Sequence, residues 1–256
     1  MGLWVIVLTT LWSVAVYAVN INAWFPEGSR EAVSVDNLFK FMLAAGGGIF
    51  ILVQVLIVAF VVRYRSQNAN PEAGYGPQVH GNTRIELAWT LAPVLLLVVL
   101  LAGSLAVWGQ EHPGRNASQL NLVVHGAQYA WSYDLPAYGI KGVSEVALPL
   151  GKQVYVDEYS NDVIHSFWIP EFRIKQDDVP AGDGKGNSIS ISHETFTPSQ
   201  TGTFRVICTE FCGTGHSAMH GNIRVLSPAD WVAWLRKSGA NPKSIPAVNQ
   251  VAALIR

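Results

Sequence analysis

The stretch TFRVICTEFCGTGHSAMHGNIRVLS, residues 203–227, is the most informative in this chain. Its two ends, TFRVIC and NIRVLS, are strand-like, and NIRV alternates at period 2 as half-buried antiparallel strands do. Between them Cys208, Cys212, His216 and Met219 fall within 12 residues, a run that holds both cysteines of the chain, one of its 7 histidines and one of its 3 methionines. Two thiolates, an imidazole and a thioether form a soft ligand set suited to copper. A single cysteine with His and Met would make a mononuclear site. The second thiolate allows two copper ions to be bridged, each then needing one His and one weak axial ligand. The loop supplies one His, and His165 in NDVIHSFWIP is the best candidate for the second, because it follows a strand-like run and precedes Pro170. His80, His112, His125, His193 and His220 read as structural. Two other readings stay open on spacing: a Cys208–Cys212 disulfide in an oxidising compartment, and a Cys₂His₂ zinc site, which gives Met219 no role.

Outward from this loop, residues 113–256 carry short runs rich in Val, Ile, Tyr and Thr, separated by Gly, Pro, Asn and Asp. LNLVVHGA (120–127), YAWSYDL (129–135), KQVYVDEYS (152–160), SISISHETF (188–196), TFRVICTEF (203–211) and NIRVLS (222–227) predict an all-β sandwich or barrel. A helix is expected from Ser227, a good N-cap, with Pro228 at the first helical position and a stop at Gly239. The tail PAVNQVAALIR (246–256) predicts one more short helix.

The other half is different. Residues 2–26, 41–62 and 87–110 contain no charged residue, and each is as long as the roughly 20 apolar residues that cross a bilayer core as helix. The first could be a cleaved signal peptide. It lacks a basic n-region and a small-x-small cleavage site, and Trp4, Trp12 and Trp24 would suit interfacial belts, so a retained helix is expected. Arg63, Arg65 and Arg84 place the loop between the second and third segments in the cytoplasm. Everything after about residue 110 then lies outside. Glu86 opens the third segment. It reads as a carboxylate favoured by the helix dipole or as the mouth of a proton or ion path. The expected organisation is an anchor over 1–112 (helices about 2–24, 41–62 and 87–109), a β domain over 113–227 and a helical tail over 228–256.

Composition agrees. Charged residues are 14% of 256, against about 25% in soluble domains, and 17 basic against 18 acidic residues exclude a basic nucleic-acid binder. No CxxCH occurs, so a covalently attached c-type haem is excluded.

The pattern C-x-E-x-C-x₃-H-x₂-M with the upstream DVIHSF (162–167) resembles the CuA loop and partner strand of subunit II of haem-copper cytochrome c oxidases of the bacterial type. IELAWTLAP (85–93) resembles the start of that family's last membrane helix. AQYAWSYD (127–134) resembles its aromatic segment near the copper, and WIPEFRIKQDDVPA (168–181) the stretch after its first copper His. Together these cover most of residues 36–236. The resemblance implies a cupredoxin-like Greek-key β-barrel on the periplasmic face of a bacterial plasma membrane, anchored by transmembrane helices. It implies Cys208 and Cys212 bridging two coppers, His165 and His216 as terminal imidazoles, Met219 as axial ligand of one copper and the Glu210 carbonyl as that of the other. The Glu210 side chain would face a magnesium ion at the interface with subunit I, and Glu86 would stand at a proton-path entrance. Partners implied are the haem-bearing subunit I, subunit III, the lipid bilayer and a soluble donor, cytochrome c or a small copper protein. Electrons would pass to haem in subunit I for reduction of oxygen to water, coupled to proton translocation. This chain is part of an enzyme and lacks an oxygen-reducing site of its own.

Two departures stand out. The family's Q-W-x-W reads Gln128-Tyr129-Ala130-Trp131 here, so Tyr129 occupies the electron-entry position, with Trp131 behind it and Asp134 at a donor-docking position. There is no fused haem c domain motif, so the donor would be a separate molecule. The rival expectations are a copper-free quinol oxidase subunit, which the intact ligand set argues against, and a membrane-anchored copper-delivery protein, in which IELAWTLAP has no purpose.

Overall fold

The computed structural model describes residues 2–20, 23, 25–65, 81–180 and 192–253. Trp24, His80 and residues 188–191 of the expected strand lie outside the described residues. The chain divides into two compact units, residues 1–20 with 36–107, and residues 21–35 with 108–256.

The first unit is helical. Helices α1 (Gly2–Ala18), α2 (Glu31–Tyr64) and α3 (Thr83–Glu111) occupy the three apolar segments. α2 and α3 are long and apolar enough to cross a membrane, and their apolar windows bury nothing inside the protein. Side chains such as Phe50, Val62, Leu95 and Leu97 stand out from the chain, as they must if lipid or a partner helix is their solvent. α1 has 17 residues, short of the roughly 20 that a bilayer core requires. It ends at Ala18 where Asn20 follows. Trp12 donates from Nε1 to the Leu43 carbonyl at 3.1 Å. Gly47 makes room for it: a Cβ there would fall 2.1 Å from the indole nitrogen. Glu86 caps α3, its Oε1 accepting from the Asn82 N–H at 3.0 Å, while Asn82 Oδ1 accepts from Arg84 N at 3.1 Å. The dipole reading of Glu86 is therefore realised in the fold.

The second unit is the expected cupredoxin-like β domain, built as two five-stranded sheets. Its strands are β1 (Leu120–Ala127), β2 (Ala130–Leu135), β3 (Ile140–Val143), β4 (Glu145–Pro149), β5 (Val154–Ser160), β6 (His165–Ile169), β7 (Ile174–Asp178), β8 (Ser192–Phe196), β9 (Gly202–Cys208) and β10 (His220–Leu226). One sheet runs β3-β2-β1-β5-β8 and the other β4-β10-β9-β6-β7. β1 pairs parallel with β5, and β10 parallel with β4, through crossover connections. Alternation sets the core: Leu120, Leu122 and Val124 of β1 and Trp131, Tyr133 and Leu135 of β2 point inward against Phe167, Ile169, Val206 and Ile223 of the facing sheet. The expected strand over 203–211 ends at Cys208, because the chain turns there to form the ligand loop. β3, β4, β6 and β7 were not expected: they are short, and Pro149 and Pro170 break their pattern.

Helix α4 (Pro228–Lys237) starts as expected, with Ser227 Oγ accepting from Asp230 N. It packs Trp231, Val232 and Leu235 into the core, and α5 (Val248–Ala253) adds Val251. The surprise is the segment 25–35, which the sequence places in the anchor. It is laced to the β unit. Gly28 N donates to Glu171 O, Arg30 N to Thr197 O, Ser199 N to Gly28 O, and the Glu31 carboxylate accepts from both Thr197 N and Thr197 Oγ1. Ser29 Oγ donates to Phe172 O while accepting from Ala32 N, so one hydroxyl both caps α2 and pins it.

Candidate metal centre

Strand β9 delivers Cys208 to the end of its sheet, and the loop 209–219 folds back over it before β10 begins. In register Cys208 lies opposite Phe167 on β6, two residues from His165. That pairing joins ligands 43 residues apart. Cys208 Sγ stands 3.8 Å from His165 Nδ1 and 3.9 Å from Cys212 Sγ. Cys212 Sγ stands 3.6 Å from His216 Nδ1 and 3.8 Å from Met219 Sδ, and the Glu210 carbonyl lies 3.3 Å from Cys208 Sγ. The order is imidazole, sulfur, sulfur, imidazole, with a carbonyl beside one sulfur and a thioether beside the other. His165, Cys208, Cys212 and Met219 are all buried.

These distances bear on the open readings. Both cysteines are free, and their sulfurs stand well beyond the roughly 2.05 Å of a disulfide. A tetrahedral zinc takes four ligands. The six donors gathered here, two of them thiol sulfurs, exceed the four that one such ion takes. Burial and the neighbouring Cys208 sulfur push the Cys212 thiol up to about 11. Metal binding must displace that proton.

Side chains around the ligands hold them in place. His165 Nε2 meets Asp162 Oδ1 at 2.7 Å, leaving Nδ1 turned to the sulfurs. Partial burial pushes the Asp162 carboxyl up. Hydrogen bonds from Gln128 N, His165 and Val163 N outweigh this and hold it below the usual carboxylate range. Gln128 also donates from Nε2 to Cys212 O at 2.6 Å, so one residue braces the loop and the Asp162–His165 pair together. Such a carboxylate–histidine pair sets ring orientation and ligand basicity. Replacing Asp162 with alanine is expected to lower copper affinity roughly 10–100-fold. The check is loss of copper to a chelator; retention equal to the unaltered protein would show that strand packing alone orients His165.

The aromatic segment packs directly on this centre. Trp131 is buried, its ring 6.0 Å from that of His165 and 5.5 Å from that of Phe167, both edge-on. Gly126 leaves the space: a Cβ there would come within 3.0 Å of His165. Tyr129 lies over the Gly213-Thr214-Gly215 turn, where a Cβ on Gly215 would fall 2.4 Å from its ring. Its hydroxyl reaches Thr214 Oγ1 at 3.3 Å. Tyr129 is thus the partly exposed member and Trp131 the enclosed one.

Asp134 sits on β2 with its carboxylate engaged inside the domain, accepting from Gly142 N at 2.7 Å and meeting His125 Nε2 at 3.3 Å. Glu86 belongs to the helical unit. Sequence reasoning missed Asp162 as His165's partner, although D-x-x-H was legible, and it missed Gln128. It also passed over Phe211, which lies between the two cysteines and is 77% exposed. Tyr129 and, just before His165 in the chain, Val163 and Ile164 are exposed as well.

A model of the transmembrane domain of cytochrome c oxidase subunit II matches residues 17–107, and a model of that subunit's periplasmic domain matches residues 140–226. A cytochrome c oxidase subunit 2 from Thermostichus vulcanus is 30% identical, over 84% of this chain and 78% of that protein. One from Synechocystis sp. is 28% identical, over 93% and 81%. A quinol oxidase subunit 2 from Bacillus spizizenii is 23% identical, over 77% and 59%. Among solved structures, the periplasmic domain of subunit II of cytochrome oxidase from Bradyrhizobium japonicum is 24% identical with a TM-score of 0.42, covering 51% of this chain and 99% of that one.

Proposed function

We propose that this chain, which belongs to the cytochrome c oxidase subunit II family, takes electrons singly from a soluble donor at a binuclear copper centre and hands them to haem in subunit I. There oxygen is reduced to water with proton translocation. The chain is membrane-anchored with its β domain on the outer face. The observation that carries the reading is the six-donor array, in which two buried sulfurs 3.9 Å apart are each flanked by an imidazole nitrogen.

Cys208 and Cys212, with His165, His216, Met219 and the Glu210 carbonyl, would together hold two coppers. Bound there, the coppers would supply a one-electron redox couple. The chain's own contribution is to hold this geometry and keep water out. Asp162 orients His165, Gln128 braces the loop, and the ladder between β6 and β9 sets the separation of His165 from Cys208. Ligands this deeply buried suit a resident cofactor better than exchangeable cargo, which disfavours a copper-delivery protein. An intact Cys pair disfavours a copper-free quinol oxidase subunit.

Tyr129 is the entry point for the electron, and Trp131 the enclosed aromatic packed against the His165 ring. The donor is cytochrome c or a small copper protein docking over the exposed Tyr129, Val163, Ile164 and Phe211, with Asp134 contributing charge. The Glu210 side chain would be the chain's ligand to magnesium at the interface with subunit I. Glu86 marks the proton-path entrance while capping α3, and subunit III completes the assembly.

The test is electron paramagnetic resonance on the whole chain, purified with its haem-bearing partner. Hyperfine splitting from two copper nuclei on one unpaired electron is expected. Splitting from a single nucleus at this site overturns the bridging role of the cysteines.

A further inference from the structure

A second group of chemically unusual side chains lies in the β unit, on residues the copper centre does not use. Glu158 on β5 is 1% exposed and Asp178 at the end of β7 is 0% exposed. Strand parity aims both into the sandwich. Glu158 shares the inward face with Val154 and Val156, and Asp178 is the register partner of inward-facing His165. The two carboxyl groups stand within hydrogen-bonding reach of each other. All four of their oxygens are buried, and none finds a donor among the described residues. Glu194 on β8, opposite Val156 in register, adds a third inward carboxyl at 7% exposure.

Leaving such groups bare is costly. A buried charge needs a partner, and an unpartnered polar atom costs its full desolvation. By contrast, Asp157 in the same unit pairs with Arg115, and the more exposed Asp177 with Lys175 at 3.1 Å. At Glu158, Asp178 and Glu194 the principal neighbours are other acids. Burial first, then those acids, push Glu158 well above the usual carboxylate range, and burial with Glu111 nearby pushes Glu194 up to about 8. A proton shared by two carboxyls cancels one of three negative charges. A divalent cation cancels two and supplies the missing partner to all four oxygens.

We propose that Glu158 and Asp178 form a second metal site of this chain, a site for Ca2+ between β5 of one sheet and the edge strand β7 of the other, with Glu194 as the adjacent compensating charge. The choice of ion follows from the ligands. Carboxylate oxygens select hard cations. Mg2+ holds on to its water and demands near-octahedral geometry, whereas Ca2+ accepts carboxylates singly or doubly at variable angles. An enclosed pocket with two carboxylates favours the ion that sheds water more readily. Occupied, the site ties β5 to β7 across the sandwich, next to the strand that carries His165.

The test uses the full chain purified with its partner subunits. Calcium is counted by elemental analysis, and thermal unfolding is followed with added Ca2+ and with EGTA, for the unaltered protein, Glu158→Gln, and Glu158→Gln with Asp178→Asn. The unaltered chain is expected to carry one more calcium equivalent than either variant, to melt higher with Ca2+ than with EGTA, and to lose that difference in both variants. The opposite result is equally clear. If the pair merely shares a proton, the amide introduced by Glu158→Gln donates to Asp178, and that variant melts higher than the unaltered protein. Calcium content is then equal and EGTA has no effect on the unaltered chain, which overturns the site even if a variant fails to fold. Copper content reports separately on the other centre.

Discussion

Cys212→Ser is expected to remove the two-nucleus copper signal and with it electron transfer into the oxidase. Cys212 Sγ is the central donor of the array, lying 3.9 Å from Cys208 Sγ, 3.6 Å from His216 Nδ1 and 3.8 Å from Met219 Sδ. A serine oxygen is hard and does not bridge soft ions. The loss should exceed the roughly 10–100-fold in affinity that removal of an outer-shell partner costs. Copper content and paramagnetic resonance of the assembled variant check it. Any residual copper should give single-nucleus splitting at His165 and Cys208. A variant that retains two equivalent coppers and near-normal oxidation of a soluble donor would show that Cys212 is not a ligand. Because Cys212 is buried in a loop already held by Gln128 and by its own backbone turns, the β unit itself should melt near its usual temperature.

The second large effect lies away from the metal. Phe172→Ala should cost about 3–5 kcal/mol of stability, the range for truncating a fully buried aromatic. Phe172 is 0% exposed and its ring lies 4.8 Å from Phe196 and 4.6 Å from Phe204, so β8, β9 and the turn after β6 meet on it. Gly28 lies against the same ring: a Cβ there would sit 2.6 Å from Phe172 Cδ1. Emptying this position therefore also loosens the segment that starts α2. The expected readouts are a drop of roughly 10 °C in the melting of the β unit and faster hydrogen exchange at Gly28, Arg30 and Thr197. Unchanged exchange at those amides, with only the melting point lowered, would show that the hydrogen bonds of residues 28–31 hold the segment without the ring.

Much of this protein was legible without coordinates because the signals are local. Charge-free runs of helical length place the end of α2 and both ends of α3 to within a few residues, since a bilayer imposes composition directly on sequence. The start of α2 at Glu31 was missed, because its first turns carry charge and pack on the β unit instead of lipid. β1 was read with its true limits because its inward and outward residues alternate without a break. The ligand loop was legible for a chemical reason: thiolates, imidazole and thioether at short spacing have few other uses. What was missed is non-local. β6 and β7 flank a proline turn and are too short for a period to show. The role of Asp162 depends on the ring of His165 being turned by β6.

Residue type alone settles the class of the molecule, an apolar helical anchor followed by a β domain, and it names the candidate copper donors, because composition dictates both lipid solubility and metal preference. Three features come from the folded chain and from nothing shorter: His165 meets Cys208, residues 25–35 belong to the β unit, and Glu158 and Asp178 find no donor among the described residues. Each depends on which strands lie side by side. That pairing is settled by packing the whole core at once, and no local period records it.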